Sequence, residues 1–239
     1  MYLLKYNPYF DRDFLKERTE GLLKKNGLGR SDAYIKIIVT RARYRNRFEF
    51  DFWCRPNLII IAKKFTPYPV KFYNTGIKIV NSSIKRNPVG NELYRHKLLN
   101  YFENIYAKNE AYAAGGQEAF FSARDRSVLE CASSNIFTVR DNRVFTPTLT
   151  QNILPGVTRK LVIDICKDRK INFSERRLHY YNLVEADEIF ITSSLMEIMP
   201  VKEVDGHAIG CGKVPGPVTD LVSMEYKKLT SLIDSTIRL

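Results

Sequence analysis

The chain has 239 residues, 44% of them hydrophobic, with 38 Lys+Arg against 26 Asp+Glu and a formal charge of +12. That is long enough for one large or two modest domains around a sizeable core, without disulfide staples. No apolar run approaches the ~20 residues that span a bilayer, and the short apolar stretch at the N-terminus is no secretory signal, so the expected compartment is the cytoplasm. Cys54, Cys131, Cys166 and Cys211 lack paired metal spacing; they read as reduced thiols, and no metal site is expected.

The excess of basic charge attracts anions. Arg41, Arg43, Arg45 and Arg47 fall at every second position, interleaved with Tyr44 and Phe48. A solvated basic loop is the first reading of this run, and a carboxylate-reading role the second. Nucleic acid comes last, because no binding motif accompanies the charge.

Along the chain, Phe14, Leu15, Leu22 and Leu23 share one helical face between Asp11 and Lys25, and Asn26-Gly27 supplies a stop. Runs rich in β-branched residues at Tyr34–Thr40, Leu58–Ala62 and Ile77–Val80 predict strands. Asn81 to Asn91 loses periodicity and gains turn formers. A domain boundary is therefore expected here, with a small α/β domain over 1–85, a linker over 86–94 and a larger domain over 95–239. The spacing predicts a helix over Asn100–Ala114, then strands at Glu118–Ala123, Val128–Glu130, Asn135–Arg140 and Arg143–Thr146, with a hairpin at Asp141-Asn142. A helix opens at Pro155-Gly156. Strands near Phe173 and over Glu188–Thr192 flank a short helix near Leu183, Asp205-Gly206 turns a second hairpin, and a helix from Val218 to about Leu232 closes the pattern. Interleaved strands and helices predict an α/β or α+β architecture.

Four segments carry chemistry in a fixed order: Lys97 in His-Lys-Leu-Leu-Asn-Tyr, Glu130 in Leu-Glu-Cys-Ala-Ser-Ser-Asn, Leu154-Pro-Gly-Val-Thr-Arg159, and Ala186-Asp187-Glu188 running into Thr192-Ser193-Ser194. From about Tyr34 to Leu221 this arrangement resembles the class IV aminotransferases. The resemblance implies fold type IV, a small α/β domain beside a larger barrel-like one, with pyridoxal 5'-phosphate between them.

It also implies roles. Lys97 would form the Schiff base; such a lysine must attack as the neutral amine and then carries protons as base and acid. The downstream Ala107-Lys108-Asn109-Glu110-Ala111 matches the family's helix after that lysine. Glu130 would keep the cofactor ring nitrogen protonated, so that the ring acts as an electron sink. Ser134 and Asn135 of the next turn fall among the cofactor contacts, Leu154 would pack on the ring, and Tyr101 would touch its edge. Gly156, Val157 and Thr158 would hold the phosphate at a helix start, where free N–H groups and the helix dipole favour an anion; Ser193 and Ser194 match the second phosphate-contacting turn. Leu195 and either Arg45 or Arg47 would meet the substrate carboxylate, an arginine in bidentate fashion, the arginine loop crossing a homodimer interface.

Two departures stand out. The family's Gly-Ser after the glutamate is Cys131-Ala132 here, which predicts a shifted turn if a positive φ is needed. The family's opening His-x-x-Arg element, whose arginine grips the phosphate, has no counterpart, so roughly fifty residues of the expected small domain are absent. The function implied is aminotransfer between an amino acid and a 2-oxo acid, with branched-chain substrates favoured by Tyr101 and by Leu195-Met196. Aminodeoxychorismate lyase is the enzymatic alternative, and a truncated, inactive relative acting as a binding protein is the alternative outside catalysis.

Overall fold

The computed structural model describes residues 9–41, 55–87, 90–210 and 212–237, with side chains through residue 231. It divides into two compact units, residues 1–67 and 68–239. In the first, helix α1 (Arg12–Lys25) starts where the Asp11 carboxylate accepts the Phe14 N–H at 2.9 Å, satisfying one orphan donor. Its end is tied down by the Asn26 side-chain amide, which donates to the Ala62 carbonyl at 2.9 Å. Strands β1 (Ala33–Thr40) and β2 (Asn57–Lys64) form a two-stranded antiparallel ribbon.

The second unit is built on a ten-stranded mixed sheet. Its elements in chain order are α2 (Val70–Thr75), β3 (Ile77–Arg86), α3 (Phe102–Ala113), β4 (Glu118–Ala123), β5 (Ser127–Cys131), β6 (Asn135–Arg140) and β7 (Arg143–Thr146). Then follow α4 (Val157–Asp168), β8 (Phe173–Glu175), β9 (Leu178–His179), α5 (Tyr180–Val184), β10 (Glu188–Ser193), β11 (Glu197–Val204), β12 (His207–Ala208) and α6 (Pro217–Ile237). The strand order is β8-β7-β6-β10-β11-β3-β4-β5-β9, with β12 added on β11. Pairings β11–β3, β3–β4 and β7–β8 are parallel and the rest antiparallel.

One connection dictates the shape of this sheet. Strands β5 and β6 stand five positions apart in the order, which is ~24 Å on a flat sheet. They are joined only by Ala132, Ser133 and Ser134, and Cys131 to Asn135 reaches at most ~14 Å. The sheet must therefore curl so that β5 and β6 approach at one end. The Cys131 N–H closes the connection by donating to the Ser134 carbonyl at 2.8 Å.

Strand β3 extends beyond the expected Val80 through a polar run read as a turn-rich linker. Its polar groups have partners: the Asn81 N–H donates to Asp205 at 2.7 Å, the Ser82 hydroxyl to Glu110 at 2.6 Å and the Ser83 N–H to Glu110 at 3.2 Å. Strand β3 thus lies inside the large sheet, between β11 and β4, and the chain divides at residue 67 rather than across the expected linker at 86–94. Helix α2 was also unexpected from periodicity, being a single short segment after Pro69.

Helices α4 and α6 cover one part of the sheet, burying Val162, Ile165, Cys166, Val218 and Val222 against Phe137 and Phe190, whose rings stack 4.9 Å apart. Helix α3 buries Ala107 and Ala111 against Ala119, Phe121 and Leu129. At the start of α6 the buried Glu188 carboxylate accepts the Val218 and Thr219 N–H groups at 3.0 and 2.7 Å. These are helix donors with no intrahelical partner, and the negative charge sits at the favoured end of the dipole. Glu188→Ala should lower the stability of the chain by about 2 kcal/mol, seen as a lower urea midpoint with an unchanged m-value.

Candidate active site

Glu130 is the next-to-last residue of β5, near the point where the sheet curls, and is 8% exposed. One oxygen accepts from Arg86 Nη1 at 2.9 Å and the other from the Leu154 N–H at 3.0 Å. Burial pushes the Glu130 carboxyl up from its ordinary value; the Arg86 charge, the Leu154 N–H and the nearby Lys97 charge pull it back without cancelling the rise.

Arg86, the last residue of β3, is itself 4% exposed. Its Nε meets Glu103 at 3.1 Å, its Nη2 donates to Asn104 at 3.2 Å, and the guanidinium lies 3.5 Å from the Phe121 ring centroid and 4.7 Å from that of Tyr94. Every face of this cation is engaged, which is what a buried charge requires. Sequence reading missed Arg86, because it sits in the stretch that looked like a linker.

Lys97 lies on the segment after the Glu92–Arg95 turn, and its Nζ donates to the Tyr101 hydroxyl at 2.9 Å. Lys97 is also near enough to Glu130 for its charge to act on that carboxyl. The Leu154 backbone is held from two directions, its N–H by Glu130 and its carbonyl by the Asn135 amide at 2.9 Å. Asn135 also explains Gly156: a Cβ there would lie 2.1 Å from Asn135 Oδ1, so only glycine fits at the cap of α4. That cap offers no side chain to the first-turn N–H groups, and Val157 is exposed beside it. Thr158 is buried, and its side chain hydrogen-bonds with that of Tyr226.

Asn135 pairs with Thr192 at the end of β10, which sets Ser193 and Ser194 near the same end of the sheet. Ser193 Oγ accepts the Met196 N–H at 3.3 Å. Ser134 faces the Cys131 thiol, whose pKa burial raises well above its ordinary value, with Glu118 adding to the rise. Leu195 is partly exposed. Arg45 and Arg47 lie outside the described residues.

In the turn after Glu130, Cys131 and Ala132 are absent from the residues with positive φ, so neither carries left-handed backbone strain. Behind the turn, Lys108 pairs with the fully buried Glu118 at 2.9 Å, and Glu118 accepts from Ser133. Burial works against the Lys108 charge, but Glu118 more than reverses this and its pKa is raised.

The donor set fits pyridoxal phosphate. It offers an amine, a buried carboxylate beside a cation, an uncapped helix start and clustered hydroxyls, among them Thr192 Oγ1, which is buried without a partner among the described residues.

Residues 1–204 match the model of the family described as Amino-transferase class IV, and the chain belongs to that family. A branched-chain-amino-acid aminotransferase-like protein of Arabidopsis thaliana is 32% identical over 95% of this chain, which spans only 40% of that relative's length. An aminodeoxychorismate lyase of Bacillus subtilis is 29% identical over 89% of this chain and 70% of its own. The branched-chain amino acid aminotransferase of Escherichia coli superposes with a TM-score of 0.83 at 27% identity, covering 95% of this chain and 75% of that one. The architecture is fold type IV.

Breaking the buried pair leaves an uncompensated charge. Arg86→Met should destabilise the chain by about 3 kcal/mol at pH 7. Without its cation Glu130 rises further, so the folded state binds its proton more tightly than the unfolded state. The stability deficit is then largest at neutral and higher pH, and it shrinks as pH falls through the raised Glu130 pKa. Urea titrations at several pH values check both magnitude and slope.

Proposed function

We propose that this chain is a pyridoxal-phosphate-dependent aminotransferase acting between an amino acid, branched-chain in preference, and a 2-oxo acid. The observation that carries the reading is the Glu130 carboxylate, buried between Arg86 and the Leu154 N–H and within the field of Lys97. When bound, the cofactor supplies the electron sink for the pair left at the substrate α-carbon.

Within this reading Lys97 holds the cofactor through its Nζ and later takes the proton from the substrate α-carbon, with the Tyr101 hydroxyl orienting the amine. Glu130 receives a hydrogen bond from the ring nitrogen; each of its oxygens has a second lone pair beyond those used by Arg86 and Leu154. Gly156, Val157, Thr158, Ser193 and Ser194 hold the phosphate, Leu154 covers a ring face, and Ser134 and Asn135 fix the turn between them. Leu195, with Arg45 or Arg47, receives the substrate carboxylate. The branched-chain preference rests on Tyr101 beside Lys97, on the exposed apolar Leu195 of this turn, and on the branched-chain relatives.

Incubation with pyridoxal phosphate, desalting and borohydride reduction should leave the cofactor mass on Lys97, located by peptide mass spectrometry. Lys97→Ala should lose both that label and the visible absorption band, whereas Glu130→Gln should keep the label and lose about 100-fold in turnover. Absence of label in the unaltered chain overturns the reading. Conversion of aminodeoxychorismate with pyruvate release, and no exchange with branched-chain amino acids, replaces it with the lyase.

The same reading includes a homodimer. Phe102 and Ile105 on α3 are 73% and 58% exposed, and Tyr106 and Leu99 continue the patch. Spacing of i, i+3, i+4 makes this a continuous apolar stripe beside Lys97. Sedimentation should show a dimer, and Phe102→Glu with Ile105→Glu should shift it to monomer with an unchanged circular dichroism spectrum.

A further inference from the structure

Strands β10 and β11 end in the pair Ser193–Glu197, so only Ser194, Leu195 and Met196 connect them. Such three-residue hairpins close with a residue in the left-handed region, usually glycine. Here that residue is Glu197, at φ 55°, a conformation that residues with a Cβ adopt at a cost. The surrounding structure must hold it.

Met196, immediately before, is clamped through both of its backbone groups. Its N–H donates to Ser193 Oγ at 3.3 Å, and its carbonyl accepts from the Tyr73 hydroxyl at 3.3 Å. Tyr73 reaches it from α2, whose position is fixed at its C-terminal end by Gly76. A Cβ on Gly76 would lie 2.6 Å from Val214 Cγ1 and 3.0 Å from the Lys202 nitrogen, and its φ is 71°. The Tyr73 ring also packs against the core cluster that contains Met196, Met199 and Val201.

We propose that Tyr73 is a positioning residue for phosphate binding: its hydroxyl fixes the Met196 carbonyl, locks the Ser193–Glu197 turn, and so presents the Ser193 and Ser194 donors to the anion. The inference rests on the reading of this turn as the phosphate turn. A hydroxyl has one proton to give and two lone pairs. While Ser193 Oγ accepts from Met196, its own proton is free to point outward. Burial, and then the Glu197 charge, pushes the Tyr73 phenol up to about 12, so it remains a donor across the working pH range.

The test titrates pyridoxal phosphate and pyridoxal, which lacks the phosphate, into the unaltered chain and Tyr73→Phe, following the visible band. Hydrogen exchange of the cofactor-free proteins is read at Met196 and Glu197. Tyr73→Phe should weaken pyridoxal phosphate roughly five-fold, leave pyridoxal unchanged and speed exchange in the turn. Adding Glu197→Asn, which suits the left-handed conformation, should restore most of the lost affinity. Equal weakening of both ligands, unchanged affinity for both, or unchanged exchange in the turn overturns the role of Tyr73 while leaving the cofactor site standing. Failure of the unaltered chain to take up either ligand overturns the site reading itself, and this inference with it.

Discussion

The candidate site is organised by a buried carboxylate and the buried cation that faces it. Glu130 is almost fully buried, and burial alone would neutralise it. Arg86 counters this, and Arg86 is itself tolerable only because Glu103, Asn104, Phe121 and Tyr94 surround it. The pair therefore recruits the end of β3, the first turn of α3 and the loop at Leu154 into one unit. None of these segments is close to the others in sequence, and the ion pair is their shared point of registration.

The second constraint is geometric. The short link between β5 and β6 forces the sheet to curl, and the curl brings Glu130, Asn135 and the end of β10 to one rim. Asn135 then fills the space against Gly156 and sets where α4 begins. Charge placement and sheet curvature thus converge on the same few residues: the strand end that buries the carboxylate is also where the sheet bends.

Much of this was legible in the sequence, for identifiable reasons. Elements with strong periodicity or clear stops, such as α1, α3, α4 and the hairpin at Asp141-Asn142, lie where pattern and turn chemistry put them. The order of Lys97, Glu130, Gly156 and Ser193 carried the family resemblance, and the family match agrees with it. The second half of β3 was hidden because its residues are polar and look like a turn. Their partners, Glu110 and Asp205, are 27 and 124 positions away, and no local pattern reveals such pairing. Arg86 was hidden for the same reason, and Tyr73 because a six-residue helix is too short to carry a periodic signal.

The connection at Ala132–Ser134 has a consequence for how such a rim can vary. Because three residues span what would be five strand spacings, the length of the link, more than its composition, sets the curvature. The link is closed by the Cys131 N–H on the Ser134 carbonyl, a backbone contact that side-chain changes in the link leave in place. An inserted residue would relax the curl and move Glu130 and Asn135 apart together, dissolving the carboxylate anchor and the helix-start cradle in one step. Diversity at this rim must therefore enter through side chains, while the link itself acts as a fixed ruler.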